Sequence, residues 1–283
     1  MKRKINVAAI QMYIEPLNIK ANFKKAESLL SKIIKKEKVD LVVYPEDCIT
    51  GPIPYNLKLA KDTSQIIILF QNLAKKYNTY IVCGSFLKKV KNKYYNTSCL
   101  IEPQGKVILE YQKNNLWLSE QSYITPGSDI NVIKTPIGTI GIIICWDLAF
   151  PEITTNLARL GADIICCPSY WTVDDGRKLH KKYGNETENI FVNTLCPARA
   201  IENECLFIYA NGAGIAKVPL KDSMWTSDRI GQTQICIPIK GTVKKINTNK
   251  EGFITYEFER DIIKHAESNY KIRKDLKSKD FLQ

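Results

Sequence analysis

The chain has 283 residues and 32.3 kDa, with 45% hydrophobic and 25% charged residues, values that exclude a disordered, collagen-like or disulfide-scaffold protein. Its longest apolar run, around Ile140 to Cys145, has the length of a strand, far short of the roughly 20 residues that span a bilayer, so no membrane partner is expected. The net charge of +12 raises nucleic acid as a partner, but only 7 of the 41 basic residues are arginine, the residue whose planar fork suits phosphates and base edges, so a solvated lysine coat is the better reading.

In chain order, Ile5 to Met12 reads as a buried strand. Asn22 to Lys36 places Phe23, Ala26, Leu29, Leu30, Ile33 and Ile34 on one helical face, with lysines opposite. Leu41 to Tyr44 is a second strand, Thr63 to Tyr77 a helix, and Tyr80 to Phe86 a third strand. A hairpin follows over Tyr94–Ile101 and Lys106–Tyr111, turning at Pro103-Gln104-Gly105. Ile130–Lys134 and Thr139–Ile144 flank the turn Pro136-Ile137-Gly138. A helix opens near Pro151 and runs to Gly161, and Asp163–Cys167 is a strand. A long helix ends near Glu204, Leu206–Ala210 is a strand, and Ile230–Phe258 alternates short strands with turns. A charged tail closes the chain. This alternation predicts a layered α/β fold. With no repeats and no linker, one domain over 1–283 is expected, with its core in 1–258 and a C-terminal extension in 259–283.

Nine cysteines, an odd number without C-x-x-C pairs, do not form a disulfide framework or a zinc site, so no metal is expected. Basic Met1 to Lys4 before apolar Ile5 to Ile10 mimics a signal peptide, but Glu15 and Pro16 end the stretch too early. A reduced, cytoplasmic protein is expected.

The chemistry is constrained by scarcity. Only His180 and His265 exist, and both fall in lysine-rich surroundings, His180 in a predicted loop and His265 in the tail. A nucleophile here needs another base. Three strand ends offer candidates: Glu46 after Tyr44-Pro45, Lys113 after Tyr111-Gln112, and Cys145 where an apolar strand turns toward the helix opened by Pro151. Sites in open α/β sheets favour such carboxyl ends. Singly, Glu46 and Lys113 could be a structural ion pair and Cys145 a small core residue. Together they make a nucleophile, a base and an electrostatic stabiliser. Trp146, Tyr170 and Trp171 also follow strand ends and could wall a pocket, with aromatic packing under a long loop the equal reading for Tyr170, and the loop from Trp171 to Asn185 could cap the entrance or be solvated surface. Cys48 reads as packing, and Arg199 and Glu202 as braces of the fold.

Pro45-Glu46 with Gly51, Tyr111-x-Lys113, and Cys145-Trp146-Asp147-x-x-Phe150-Pro151-Glu152 resemble the three signature segments of the nitrilase superfamily of carbon–nitrogen hydrolases, in order and 67 and 32 residues apart. Arg199-Ala200-x-Glu202-Asn203, Ala210-Asn211-x-Ala213-Gly214 and Tyr270-x-x-Arg273-x-Asp275-Leu276 extend the likeness over nearly the whole chain. The resemblance implies a four-layer α-β-β-α sandwich, with Cys145 as nucleophile, Glu46 as general base and Lys113 as stabiliser of the tetrahedral intermediate. It also implies Glu120, seven residues before Gly127, as a substrate-positioning carboxylate, and the Trp146 backbone N–H as an oxyanion donor. It requires no metal or organic cofactor, and it implies a homo-oligomer with the extension at a subunit interface. Two positions depart from the pattern: Asn115 where many members have histidine, and Pro52 after Gly51. The expected activity is amidase action on a small linear amide or N-carbamoyl compound. Nitrile hydrolysis and a non-catalytic binding protein on the same fold are the alternatives.

Overall fold

The first strand, Lys4–Tyr13 (β1), is apolar on both faces because both faces are covered. Ile5, Val7 and Ala9 cluster with residues from the second half of the chain, whereas Ala8, Ile10 and Met12 cluster with Leu29, Leu30 and Ile33 of the helix Ile19–Lys36 (α1). That helix starts where the Asn18 side chain accepts from Ala21 N at 3.1 Å, and its last turn carries Lys35 and Lys36 against the negative end of the dipole. The computed structural model describes residues 2–54, 56–60, 63–176, 179–184 and 186–278.

Around β1 the first sheet gathers Leu41–Val43 (β2), Tyr80–Val82 (β3), Phe86–Val90 (β4), Lys93–Ile101 (β5) and Val107–Gln112 (β6), with Ser64–Tyr77 (α2) between β2 and β3. β1, β2 and β3 run parallel, Val7 to Ala9 opposite Leu41 to Val43, and β5 is antiparallel to β3, β4 and β6. The second sheet repeats the plan with Val132–Thr135 (β7), Gly138–Ile142 (β8), Ile164–Pro168 (β9) and Leu206–Ala210 (β10), of which β8, β9 and β10 are parallel. Pro151–Arg159 (α3), Leu179–Tyr183 (α4) and Thr187–Glu202 (α5) lie between these strands. Gly212–Ala213 (β11) pairs with the end of β1, and Ile215–Pro219 (β12) forms a separate hairpin with Met224–Asp228 (β13). Gln234–Ile237 (β14) and Gly241–Lys245 (β15) complete the second sheet, in the order β15-β14-β10-β9-β8-β7, and Gly252–Glu259 (β16) returns antiparallel to β1.

The two sheets face each other, with α1 and α2 outside the first and α3 and α5 outside the second. This is the α-β-β-α sandwich that the resemblance implies. Burying an aliphatic side chain of its interior contributes about 1.5–3 kcal/mol.

Three expectations are revised. The single strand over Tyr80–Phe86 is two, broken at Gly84, whose φ of +73° and position against the Pro45 carbonyl leave no room for a Cβ. The charged tail is folded into Asp261–Asn269 (α6) and Ile272–Ser278 (α7). Buried Arg273 ties α7 to the body by donating to the Asn203 carbonyl at 3.1 Å and to the Ala162 carbonyl. Residues 279–283 lie outside the described residues. His180, expected in a loop, lies on α4, partly buried, its Nε2 3.5 Å from Asp174 Oδ1. Among the described residues no helix is long and apolar enough to cross a membrane.

Candidate active site

Glu46 follows β2 at the end where the two sheets meet, and its backbone N–H donates across to the Ser169 carbonyl at 3.2 Å. Gly84 closes beneath this turn. Lys113 follows β6, with its N–H on the Asn96 carbonyl at 2.8 Å and its own carbonyl receiving Gly127 N–H at 2.9 Å. A Cβ on Gly127 would stand 2.3 Å from the Gln112 carbonyl, so only glycine lets the chain return this close. The sequence thus pins both charged groups by backbone contacts.

Cys145 is held differently. It opens the short turn Cys145–Ala149 at φ +47°, a left-handed conformation that costs a β-carbon residue free energy unless the surroundings enforce it. Asp147 enforces it. This buried carboxylate accepts from Ile144 N at 2.9 Å, Tyr111 OH at 2.7 Å and Asn115 N at 2.7 Å, with Asn115 Nδ2 at 3.2 Å. The departure at Asn115 therefore falls on the support of the elbow. Arg199 secures the other side, donating from Nε and Nη2 to the Leu148 carbonyl at 3.1 and 2.9 Å and from Nη1 to Glu202 at 2.8 Å.

Side chains from the three strand ends converge. Lys113 Nζ lies 3.0 Å from Glu46 Oε1 and 2.7 Å from Glu120 Oε2. Asn96 Nδ2 bridges the same two carboxylates, at 2.8 Å to Glu46 Oε1 and 3.0 Å to Glu120 Oε1, and Trp117 N donates to Glu120 Oε2 at 2.7 Å. All these charges are buried. Burial pushes the Glu46 carboxyl up, with Glu120 adding to the rise and Lys113 opposing it. Burial alone would pull the Lys113 ammonium down, but Glu120 and Glu46 outweigh it and hold the proton more tightly than usual. Burial, then Glu46, raises the Cys145 thiol well above its ordinary range, which Lys113 only partly offsets. The resting thiol is therefore protonated beside a carboxylate able to take its proton. Burial lifts Asp147 to about 6 against its hydrogen bonds.

Glu46, Lys113, Cys145, Glu120, Trp146, Tyr170 and Trp171 all line one cavity of about 830 Å³. Trp146 lies edge-on to Trp117 at 4.6 Å and stacks on Phe191 at 5.9 Å. Trp171 is fully buried, with Nε1 on Glu188 at 2.7 Å and its backbone N–H on Asn211 Oδ1 at 2.8 Å. The Tyr170 ring lies under the Arg229 guanidinium at 4.3 Å. Thr172, Asp174 and Asp175 form a wall, so this part of the Trp171–Asn185 loop borders the cavity, while Arg177, Lys178 and Asn185 lie outside the described residues. Cys48 is buried in packing, with its thiol on the Cys83 carbonyl at 3.5 Å.

Sequence reasoning missed Asn96, Asp47 and the hairpin residues Val218 and Trp225, the last three of which line the cavity. Asn96-Thr97-Ser98, three polar residues in succession inside a predicted strand, carried a usable signal: all three are buried. Among the described residues, no His, Cys, Asp and Glu side chains gather in a set fit to hold a metal ion.

A cysteine on a strained strand-to-helix turn, facing a buried carboxylate and ammonium between two sheets, defines the class: an α-β-β-α sandwich hydrolase with a thiol in its site. The carbon-nitrogen hydrolase family model matches residues 6–265, and the chain belongs to that family of enzymes, within the nitrilase superfamily. It is 27% identical to a probable nitrilase of Schizosaccharomyces pombe over 282 residues, 94% of this chain and 93% of the other. It is 30% identical to the deaminated glutathione amidase of Dictyostelium discoideum over 219 residues, 70% of each chain. Its fold matches Nit3 of Saccharomyces cerevisiae, a member of branch 10 of the nitrilase superfamily, with TM-score 0.79 and 24% identity, covering 95% of this chain and 94% of the other. It also matches a carbon-nitrogen hydrolase from Helicobacter pylori G27, with TM-score 0.84 and 22% identity, covering 96% and 95%.

Proposed function

We propose that the protein is a thiol amidase that hydrolyses a small linear amide or N-carbamoyl compound through a Cys145 thioester. The observation that carries this reading is the contact of Lys113 with both Glu46 and Glu120 inside the cavity that Cys145 lines. Glu46 takes the thiol proton as sulfur attacks the carbonyl carbon, and the carbonyl π electrons move to oxygen. An ammonium has three protons; two of those on Lys113 are directed at the carboxylates, and the third is free for that oxyanion. The Trp146 backbone N–H is the second donor, and losing one such donor typically costs about 3–4 kcal/mol of barrier. As the oxyanion collapses, the C–N bond breaks and Glu46 gives its proton to the departing nitrogen. Water then loses a proton to Glu46 and attacks the thioester, the C–S bond breaks, and the proton returns to sulfur. Burial favours this double duty, because a raised carboxyl is a stronger base toward the thiol and the water and holds the proton until the nitrogen or sulfur takes it. Glu120 orients the substrate amide.

Relatives named amidase, among them a 2-oxoglutaramate amidase of Bacillus subtilis, support the amide over the nitrile. The test pairs each amide with its nitrile and mixes enzyme with substrate for mass spectrometry. The expected result is faster turnover of the amides and an acyl adduct on Cys145, absent in Cys145→Ala. Turnover by folded Cys145→Ala overturns the mechanism, and faster nitrile turnover overturns the substrate assignment. The same reading carries a cytoplasmic location and self-association, for which light scattering at one chain mass is the counter-result.

A further inference from the structure

Behind one wall of the cavity lies a buried cation that the proposed reaction does not use. Arg229 follows β13 and is 1% exposed. Its Nη1 donates to the Ala213 and Ile215 carbonyls at 2.6 and 3.2 Å. Nε and Nη2 have no hydrogen-bond partner of ordinary geometry, and among the described residues no carboxylate forms an ion pair with this guanidinium. Burial pulls it below its usual value. A charge so placed costs free energy unless something beside it offsets the loss of water. What it faces is a ring: the guanidinium carbon stands 4.3 Å from the centroid of Tyr170, whose hydroxyl is buried and has no hydrogen-bond partner either. The face of the ring, not its hydroxyl, is what the arginine holds.

Arg229 also stands where the hairpin of β12 and β13 joins the body. Its backbone N–H donates to the Gly214 carbonyl at 2.9 Å, the next residue, Ile230, donates to the Trp171 carbonyl at 3.2 Å, and Arg229 pairs with Thr172 in an isolated antiparallel bridge. Gly212 gives the side chain its room, since a Cβ there would stand 2.5 Å from Arg229 Cδ. One arginine thus touches both roots of the hairpin and the Tyr170 ring. Tyr170 lines the cavity beside Cys145, and the hairpin with its turn contributes Val218, Leu220 and Trp225 to the same space. We infer that Arg229 is a positioning residue: through its contact with the ring it fixes Tyr170, and with it the hairpin wall, where the acyl chain of the substrate packs. A desolvated cation–π contact is worth about tenfold in an equilibrium constant, enough to show in binding. The inference rests on the reading of this cavity as the site of hydrolysis, but not on which carbon–nitrogen group is cut.

The experiment measures kcat and KM for pentanamide in Arg229→Met, Tyr170→Leu, the double variant, and the conservative Arg229→Lys and Tyr170→Phe, with urea unfolding of each. KM is expected to rise about tenfold in Arg229→Met and in Tyr170→Leu, and about threefold in the two conservative variants, which keep a cation over a ring. The double variant should be no worse than the poorer single one, because both changes remove the same contact. In all five, kcat should stay within about threefold of the parent. An arginine that only braces the fold would instead lower the urea midpoint and the active fraction, and so kcat, with KM unmoved; that result overturns the inference. So does a loss that multiplies to about a hundredfold in the double variant. Should Arg229→Met not fold, Arg229→Lys decides, and a parental KM there is the overturning result. If the parent cleaves pentanenitrile and not pentanamide, the amidase reading falls, while the same KM ratios, read on the nitrile, still decide the role of Arg229.

Discussion

The two sides of the cleft hold their reactive groups by opposite means. The first sheet supplies Glu46, Lys113 and, by way of the following turn, Glu120; these are fixed by mutual charge and by Asn96, and their backbones are relaxed apart from Asp47. The second sheet supplies Cys145, whose thiol bears no charge at rest and whose position comes from a strained backbone that Asp147 and Arg199 keep in place. One side stores electrostatic cost and the other conformational cost. Damage to the first should therefore fall on catalysis with little loss of stability, and damage to the second on both.

The largest contrast is Glu46→Gln against Asp147→Leu. Glu46→Gln removes the proposed base and is expected to lower kcat by about 10³-fold or more. Because burial penalises the Glu46 carboxylate, the neutral isostere should unfold at the same urea concentration as the parent or a higher one. Asp147→Leu strands the Ile144 and Asn115 N–H groups and the Tyr111 hydroxyl, at about 1–3 kcal/mol each where water cannot reach. Its urea midpoint should drop while kcat falls too. Equal stability losses in the two variants would break the contrast.

The pH dependence sharpens it. The Asp147 carboxyl is lifted from an unfolded value near 4 to about 6. The folded state therefore binds the extra proton between those values, so this group's contribution to stability is greatest below about pH 4 and declines as pH rises to about 6, by about 3 kcal/mol at most. Asp147→Asn does not titrate and should lack that decline, which urea unfolding of both proteins at pH 5 and pH 7.5 measures. On the other side, the acid limb of kcat/KM should lie above the ordinary carboxylate range, since Glu46 is raised. Glu120→Gln removes a like charge that helps raise it, so the limb should move toward lower pH; a shift upward would refute the coupling.

Smaller still is the effect of Asn96→Ala. It deletes the amide that spaces the two carboxylates, and about a tenfold loss in kcat is expected, with the acid limb displaced. Asn96 also marks where sequence reading stops. Glu46, Lys113 and Cys145 were legible because each follows the end of a strand and because the three together, though not singly, make a nucleophile, a base and a stabiliser. Glu120 was legible only through resemblance, since nothing in its own surroundings distinguishes it from a surface glutamate. Asn96 lies in mid-strand, and its value comes from Glu120, which reaches it only after the chain has turned at Trp117. Asp47 and Trp225 were not singled out, because their wall of the cavity is assembled from residues far apart in the chain. The layers were readable from periodicity for the same reason that these were not: strands and helices are local, and cavities are not.

The smallest expected effect tests the chemistry most directly. A thiol hydrolase with an imidazole base would lose most of its activity with that histidine, and of the two histidines His180 is the one near this cavity, through Asp174. Its Nε2 stands 3.5 Å from Asp174 Oδ1, too long for a strong hydrogen bond, and it hangs on the short helix α4 rather than at a strand end. Glu46, the proposed base, lies beside Lys113. His180→Asn should thus change kcat by less than about twofold and leave the pH profile of kcat/KM without a lost inflection near the ordinary histidine range of about 6.5. A loss of about a hundredfold, or the disappearance of such an inflection, would mean that the proton leaves sulfur for a ring nitrogen and that the pairing of Lys113 with Glu46 is structural.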